Sequence, residues 1–200
     1  LLVPFFISPQ GAIGSSLRAD LAKLQRETGG FAFSFAAGLA DGTALPEIVA
    51  DRVRQAIARR GLLRPAVLIV DHGGPSAASA AVRDSVADAA RTRLGRGVAS
   101  VSPASMESQD GPEFAFNRPL LADALAAPGL ADAPVLIAPL FLSPGRHAGP
   151  SGDLERIARA AEERAPRMRC HFTELVGSHP VAIETLAAAL VRALQVGALL

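Results

Sequence analysis

The chain has no tryptophan, no tyrosine and one cysteine, Cys170. Without Trp and Tyr it lacks the usual platforms on which single-stranded bases stack. A lone cysteine cannot close an internal disulfide, which fits a reducing compartment, so a cytoplasmic location is expected. There is no charge excess either. Twenty Lys and Arg stand against 19 Asp and Glu, a formal +1, whereas a general nucleic-acid binder carries a clear basic surplus. No apolar run reaches 18 residues, so no transmembrane helix is expected. Nucleotide-binding loops of the GxGxxG and GxxxxGK[ST] types are missing, and no nucleotide cofactor is expected. The GxSxG elbow of the α/β-hydrolases is missing too, since Gly149-Pro150-Ser151-Gly152 has the wrong spacing. Without a CxxC pair there is no structural zinc knuckle.

What is present is a large apolar fraction, 50% of 200 residues. That is enough to build a core in one large domain or two small ones. Six short apolar runs read as strands, near 1–7, 31–36, 66–71, 98–102, 134–140 and 168–174. Ala66-Val67-Leu68-Ile69-Val70 is apolar throughout, as is most of Val135-Leu136-Ile137-Ala138. Such runs suit strands buried on both faces of a parallel sheet. Helix-like stretches alternate with them near 16–28, 44–60, 77–94, 118–126, 151–165 and 180–196. In the second of these, Leu45, Ile48, Val49, Arg52, Val53 and Ile57 keep the spacing of one helix face. Strict alternation predicts an α/β fold of right-handed βαβ units, with helices on both faces of the sheet.

The sequence also repeats itself. Pro4-Phe5-Phe6-Ile7-Ser8-Pro9 returns as Pro139-Leu140-Phe141-Leu142-Ser143-Pro144, an offset of 135. Glu47-Ile48-Val49-Ala50 returns as Glu184-Thr185-Leu186-Ala187, an offset of 137. Two matches in the same order at nearly one offset point to a duplicated half. Residues 1–62 match only the last two of the four strand–helix units in the remainder of the chain. The expected organisation is therefore a partial first lobe, 1–62, and a complete second lobe, 63–200. Two strands make a poor independent sheet. The first lobe is accordingly expected to extend upstream of Leu1 or to be completed by a partner, and a homodimer is one such arrangement.

In open parallel sheets ligands bind at the carboxyl ends of the strands. His72 ends the third predicted strand, in Val70-Asp71-His72-Gly73-Gly74-Pro75, and His147 follows the fifth, in Ser143-Pro144-Gly145-Arg146-His147. Two neutral imidazoles converging on one cleft would suit a borderline divalent metal. The bland alternative for each is a loop hydrogen-bonder. Glu107, beyond the fourth strand, is a candidate proton acceptor or further ligand, or else a solvated loop acid. Asp71 points away from His72 in an extended segment, so the two form no dyad. Alternation sets Cys170 and His171 on opposite faces, against a joint metal site. His179, in Gly177-Ser178-His179-Pro180, either caps the last helix or rims the cleft.

A buried strand ending in His-Gly, followed by a strand leading into Pro-Leu-Phe-Leu-Ser-Pro-Gly-Arg-His, resembles the class II chelatases. The similarity is to the small sirohydrochlorin chelatases of cobalamin and siroheme synthesis. It covers 66–200, with 1–60 as the remnant of a sister lobe. Val67 to His72 matches the first metal-binding His and its strand, and Ala138 to His147 matches the second. Met106-Glu107 is similar to the family's acidic position, and Val176-Gly177-Ser178-His179-Pro180 to its turn before the last helix. The resemblance implies an enzyme, a metallochelatase that inserts Co2+, or else Fe2+ or Ni2+, into sirohydrochlorin or a related tetrapyrrole. His72 and His147 would hold the metal, and Glu107 or one of the histidines would take pyrrole protons. Arg146 and Arg118 would pair with substrate carboxylates, and Phe141 and Met106 would lie against the ring. The metal is a substrate in this reading.

Four departures stand out. Gly74 replaces the serine that usually follows His-Gly, a longer Ala148–Leu154 stretch follows the second His, Ser108–Asn117 looks inserted, and Ala12 stands where the repeat would place a counterpart of His147. One cleft is therefore expected, with the first lobe as its wall or lid. The alternatives are a non-catalytic tetrapyrrole or metal carrier and an unrelated α/β enzyme or binding protein.

Overall fold

The structure is a computed structural model in which residues 1–8 and 12–197 are described. Its centre is a four-stranded, all-parallel sheet of β1 (Ala66–Asp71), β2 (Ser100–Ser105), β3 (Pro134–Pro139) and β4 (Arg169–Phe172), in the order β2-β1-β3-β4. Helices α1 (Ala12–Thr28) and α2 (Ala44–Arg60) precede the sheet. The others, α3 (Ala77–Leu94), α4 (Leu121–Leu125), α5 (Asp153–Arg164) and α6 (Pro180–Gly197), follow the four strands in turn. The expected alternation from residue 66 onward is thus realised, with the fourth helix reduced to a single turn or so. No helix among the described residues is long and apolar enough to cross a membrane.

The uninterrupted apolar runs have the predicted consequence. Val67, Ile69, Leu136 and Ala138 face a core shared with α2, α3 and α6. Their neighbours Leu68, Val70, Val135 and Ile137 face a second core made with α4 and α5. Period-two alternation sends successive side chains to opposite faces, so a strand buried on both must be apolar at every position.

The predicted strands at 1–7 and 31–36 require a correction. They lie side by side and parallel, but as a single bridge, Leu2 to Phe35. Leu2 N–H donates to Ser34 O and Ala36 N–H donates to Leu2 O. The next donor due on the first segment is Pro4, which has no N–H, so the ladder stops after one rung. Gly38 N–H turns instead to Asp41 Oδ2. Pro9 of the repeat lies outside the described residues, as does the side chain of Ala12.

Helix α2 does not stand apart from the sheet. Leu45, Ile48, Val49 and Val53 are fully or almost fully buried in the core shared with β1 and β3. The helix is also tied to the far edge of the sheet. Glu174, just past β4, accepts from Arg52 Nη1 at 2.8 Å and from Arg59 Nη2 at 2.8 Å. The hydrogen bond from Arg59 and the charge of Arg52 hold the Glu174 carboxyl below its ordinary value of 4.5. A carboxyl that titrates lower when folded contributes stability above its unfolded value and loses it as pH falls through the folded one. Glu174 is half exposed, so screening limits the contribution to about 1 kcal/mol. Glu174→Gln is expected to destabilise the protein by about that much near neutral pH, and the gap from the native protein should close as the pH is lowered through the carboxylate range. Urea unfolding across that range checks this, and a constant gap would contradict it.

Candidate metal-handling site

The strand order places the site. The chain leaves β1 for β2 on one side and returns across it to β3 on the other, so the β1/β3 boundary is the topological switch point where a crevice opens. His72 follows the last residue of β1 directly, and His147 sits on the loop beyond β3. Their ring centroids are 4.7 Å apart with planes at 83°.

That spacing can be tested against a shared ion. A metal–nitrogen bond of about 2.0–2.1 Å puts each ring centre about 3.2 Å from the metal, and ligand angles near 90–110° then give centroids about 4.5–5.2 Å apart. The observed pair falls in this range. Protonation chemistry agrees. His72 Nδ1–H donates to Gly73 O at 2.7 Å, and His147 Nδ1–H donates to Asp153 Oδ2 at 2.5 Å. A carbonyl and a carboxylate can only accept, so both rings carry their proton on Nδ1 and leave the Nε2 lone pair for a metal. Burial, and the positive charge available to His72 and Arg146, push the His147 pKa below its ordinary value, with Glu107 opposing. A neutral ring is the form that ligates.

Glu107 is brought to this pair, its Oε1 3.7 Å from His72 Nε2. The contact is enforced by backbone. Glu107 N–H donates to His72 O and Met106 N–H to Asp71 O, joining the ends of β1 and β2. Gly73 is indispensable to it, because its φ is +80° and a Cβ there would lie 1.8 Å from Glu107 O. Among the described residues, no group of three or more His, Cys, Asp or Glu is disposed to hold a metal ion. The candidate site is therefore a pair of imidazoles with Glu107 beside one of them.

Two hollows flank the pair. One, of about 590 Å³, is mainly apolar. His72 and His147 line it together with Phe141, Leu140, Leu142 and, from the N-terminal segment, Phe6 and Ile7. The other, of about 580 Å³, carries Met106, Glu107, Arg146, Asp153 and Arg156. The predicted ring contact Phe141 thus lies on the first hollow, 6.4 Å from His72 between ring centres, whereas Met106 and Arg146 lie on the second. Arg118 lines neither, because its guanidinium is taken up by Asp123 at 3.0 Å on the surface.

Several supporting residues escaped sequence reasoning. Asp153 is one. Another is Asn117, buried at the end of the inserted stretch, whose side-chain amide donates to Gly74 O at 3.0 Å and pins the His72 loop. The signal for Asn117 was slight, although it is the only asparagine in the chain. Asp71 bonds to Ser105 and approaches Arg83 rather than His72. Burial pushes the Cys170 thiol up to about 12, and Cys170 packs on the α5 side, away from any metal role. His179 is a buried capping residue. Its Nδ1 accepts from Val181 N–H and its Nε2–H donates to Asp51 Oδ2 at 2.9 Å, fastening α6 to α2.

The CbiX family matches residues 66–193, well over half of the sequence. The chain belongs to the CbiX family. The resemblance to class II chelatases drawn from its two His motifs is thereby borne out. A search of curated proteins finds no match. Among solved structures, this CbiX-family chain is similar to SirB from Bacillus subtilis with Fe3+, at a TM-score of 0.67 and 11% identity, over 94% of this chain and 68% of that one. It is similar to the sirohydrochlorin chelatase SirB from Bacillus subtilis subspecies spizizenii in complex with cobalt, at 0.62 and 11%, over 93% and 65%. A multi-domain Deinococcus radiodurans protein with structural similarity to chelatases and two additional novel domains matches at 0.62 and 19%, over 93% and 39%. The chain spans less than two thirds of the last two. These likenesses establish a chelatase fold.

Proposed function

We propose that the protein is a metallochelatase that inserts a divalent metal, Co2+ first and Fe2+ or Ni2+ as alternatives, into sirohydrochlorin or a related tetrapyrrole. The observation that carries this reading is the His72–His147 pair, 4.7 Å apart, both Nδ1 atoms engaged, facing an apolar hollow of about 590 Å³. Family membership and the structures of SirB with iron and cobalt support the same reaction class.

The reaction exchanges one dication for two pyrrole N–H protons. Two neutral imidazoles bind an ion loosely enough to give it up, which suits a metal that is substrate rather than resident. The macrocycle would lie in the apolar hollow, its face on Phe141. Glu107, beside His72 Nε2, would accept a departing proton and pass it to the open second hollow. Arg146 would meet a peripheral carboxylate of the substrate at that rim. Residues 1–62, read as a partial first lobe, would wall the cleft of the lobe 63–200.

Turnover decides the matter. Purified protein mixed with excess sirohydrochlorin and Co2+ should convert many equivalents, followed by the absorption change. Conversion that stops at one equivalent would replace the enzyme with a carrier.

A further inference from the structure

We propose that Asp153 is the positioning residue for His147, fixing its tautomer and ring orientation so that Nε2 faces the shared ion. This rests on reading the His pair as a metal site.

Asp153 opens α5, and its two carboxylate oxygens are divided. Oδ2 accepts the His147 Nδ1–H at 2.5 Å, and Oδ1 is held by Arg156, three residues on in the same helix. Both side chains of the His147–Asp153 pair are only 22% exposed, so water competes weakly for the bond. The backbone repeats the grip. Asp153 N–H donates to Arg146 O at 3.2 Å and Leu154 N–H to His147 O at 3.1 Å. The intervening loop has no slack, since a Cβ on Gly152 would come within 2.7 Å of His147 O. The lengthened stretch between the second histidine and its helix therefore doubles back, and returns a carboxylate to the ring it left.

An N-cap role does not account for the arrangement, because Gly152 occupies that position. Nor does His72 offer an equivalent handle, since its Nδ1 is held by a main-chain carbonyl. A carboxylate on Nδ1 makes the opposite nitrogen a better ligand and stops the ring from turning. Loss of such a partner typically costs about 10–100-fold in metal affinity.

The test uses Asp153→Ala and Asp153→Asn, with 15N-histidine NMR of the metal-free protein and titration with Co2+ alone. The native protein should show the Nδ1–H form of His147. Asp153→Ala should mix the tautomers and weaken Co2+ binding by about 10–100-fold. Asp153→Asn keeps an acceptor oxygen and should retain the tautomer with a smaller loss, and it decides the question if the alanine variant fails to fold. Native tautomer and native Co2+ affinity in Asp153→Ala would overturn the proposal. Native Co2+ affinity in His147→Ala would instead overturn the metal reading of the pair, and the tautomer result would still report on Asp153.

Discussion

His147→Ala is expected to lower the proposed Co2+ insertion into sirohydrochlorin by more than about 100-fold, because losing a supporting partner alone costs about 10–100-fold and this variant removes the proposed ligand itself. One imidazole cannot hold an ion in place of two. The remaining ring, His72, has Glu107 Oε1 at 3.7 Å, but the Glu107 side chain is itself exposed. Folding should be spared. The His147 ring lines a hollow and belongs to neither apolar core, so the change in stability should stay within about 1 kcal/mol. Steady-state absorption assays beside a thermal melt separate the two effects. Undiminished turnover would remove His147 from the site, and with it the argument from the paired rings.

Arg83→Ala should produce the largest loss of stability in the molecule outside the apolar core. Arg83 is 1% exposed, the largest fully buried side chain among the described residues. Its guanidinium donates to Ser105 Oγ at 2.5 Å, to Phe116 O at 2.9 Å and to Asp84 Oδ1 at 2.8 Å. It also lies 3.6 Å from Asp71 Oδ1, which accepts from Ser105 Oγ–H at 2.6 Å. Burial pushes the Asp71 carboxyl upward, and Ser105 and Arg83 work against that. Alanine would strand Asp71 without its cation, leave Phe116 O without its donor and open a cavity.

Breaking a buried pair in this way costs about 3–5 kcal/mol. For a chain of this size that is about 6–20 °C in melting temperature. Lysine should not restore it, because a single ammonium cannot reach three acceptors spread over a planar fork. The double variant Arg83→Met with Asp71→Asn should recover part of the loss by removing both charges. Since Asp71 immediately precedes His72, insertion activity should fall along with stability in the single variant. A melt within about 2 °C of the native protein would show that the network contributes little.

Sequence reading succeeded where a residue's own chemistry determines its place. Continuous apolar runs marked β1 and β3 because a strand covered on both faces has no position for a polar side chain. Histidines at the ends of those two strands could be expected to meet because parallel sheets open their crevice there, and their rings do lie side by side. It failed where a chain position depends on a neighbour. Leu1–Ile7 and Phe31–Ala36 have strand composition, yet Pro4 lacks the N–H for a second rung, so one bridge is all they form. Arg118 has the charge to meet a carboxylate, but Asp123 claims it first.

The layered α/β architecture and the family follow from local pattern and residue type, as does the choice of the two imidazoles as candidates. Which atoms of those imidazoles are available depends on the folded chain. Asp153, Asn117 and the Arg83–Ser105–Asp71 network act through contacts between separate segments, and even the adjacent Gly73 O depends on a backbone angle, so no periodicity betrays them. Which imidazole nitrogen is left for a proposed ligand is therefore set by contacts that exist only when the chain is folded.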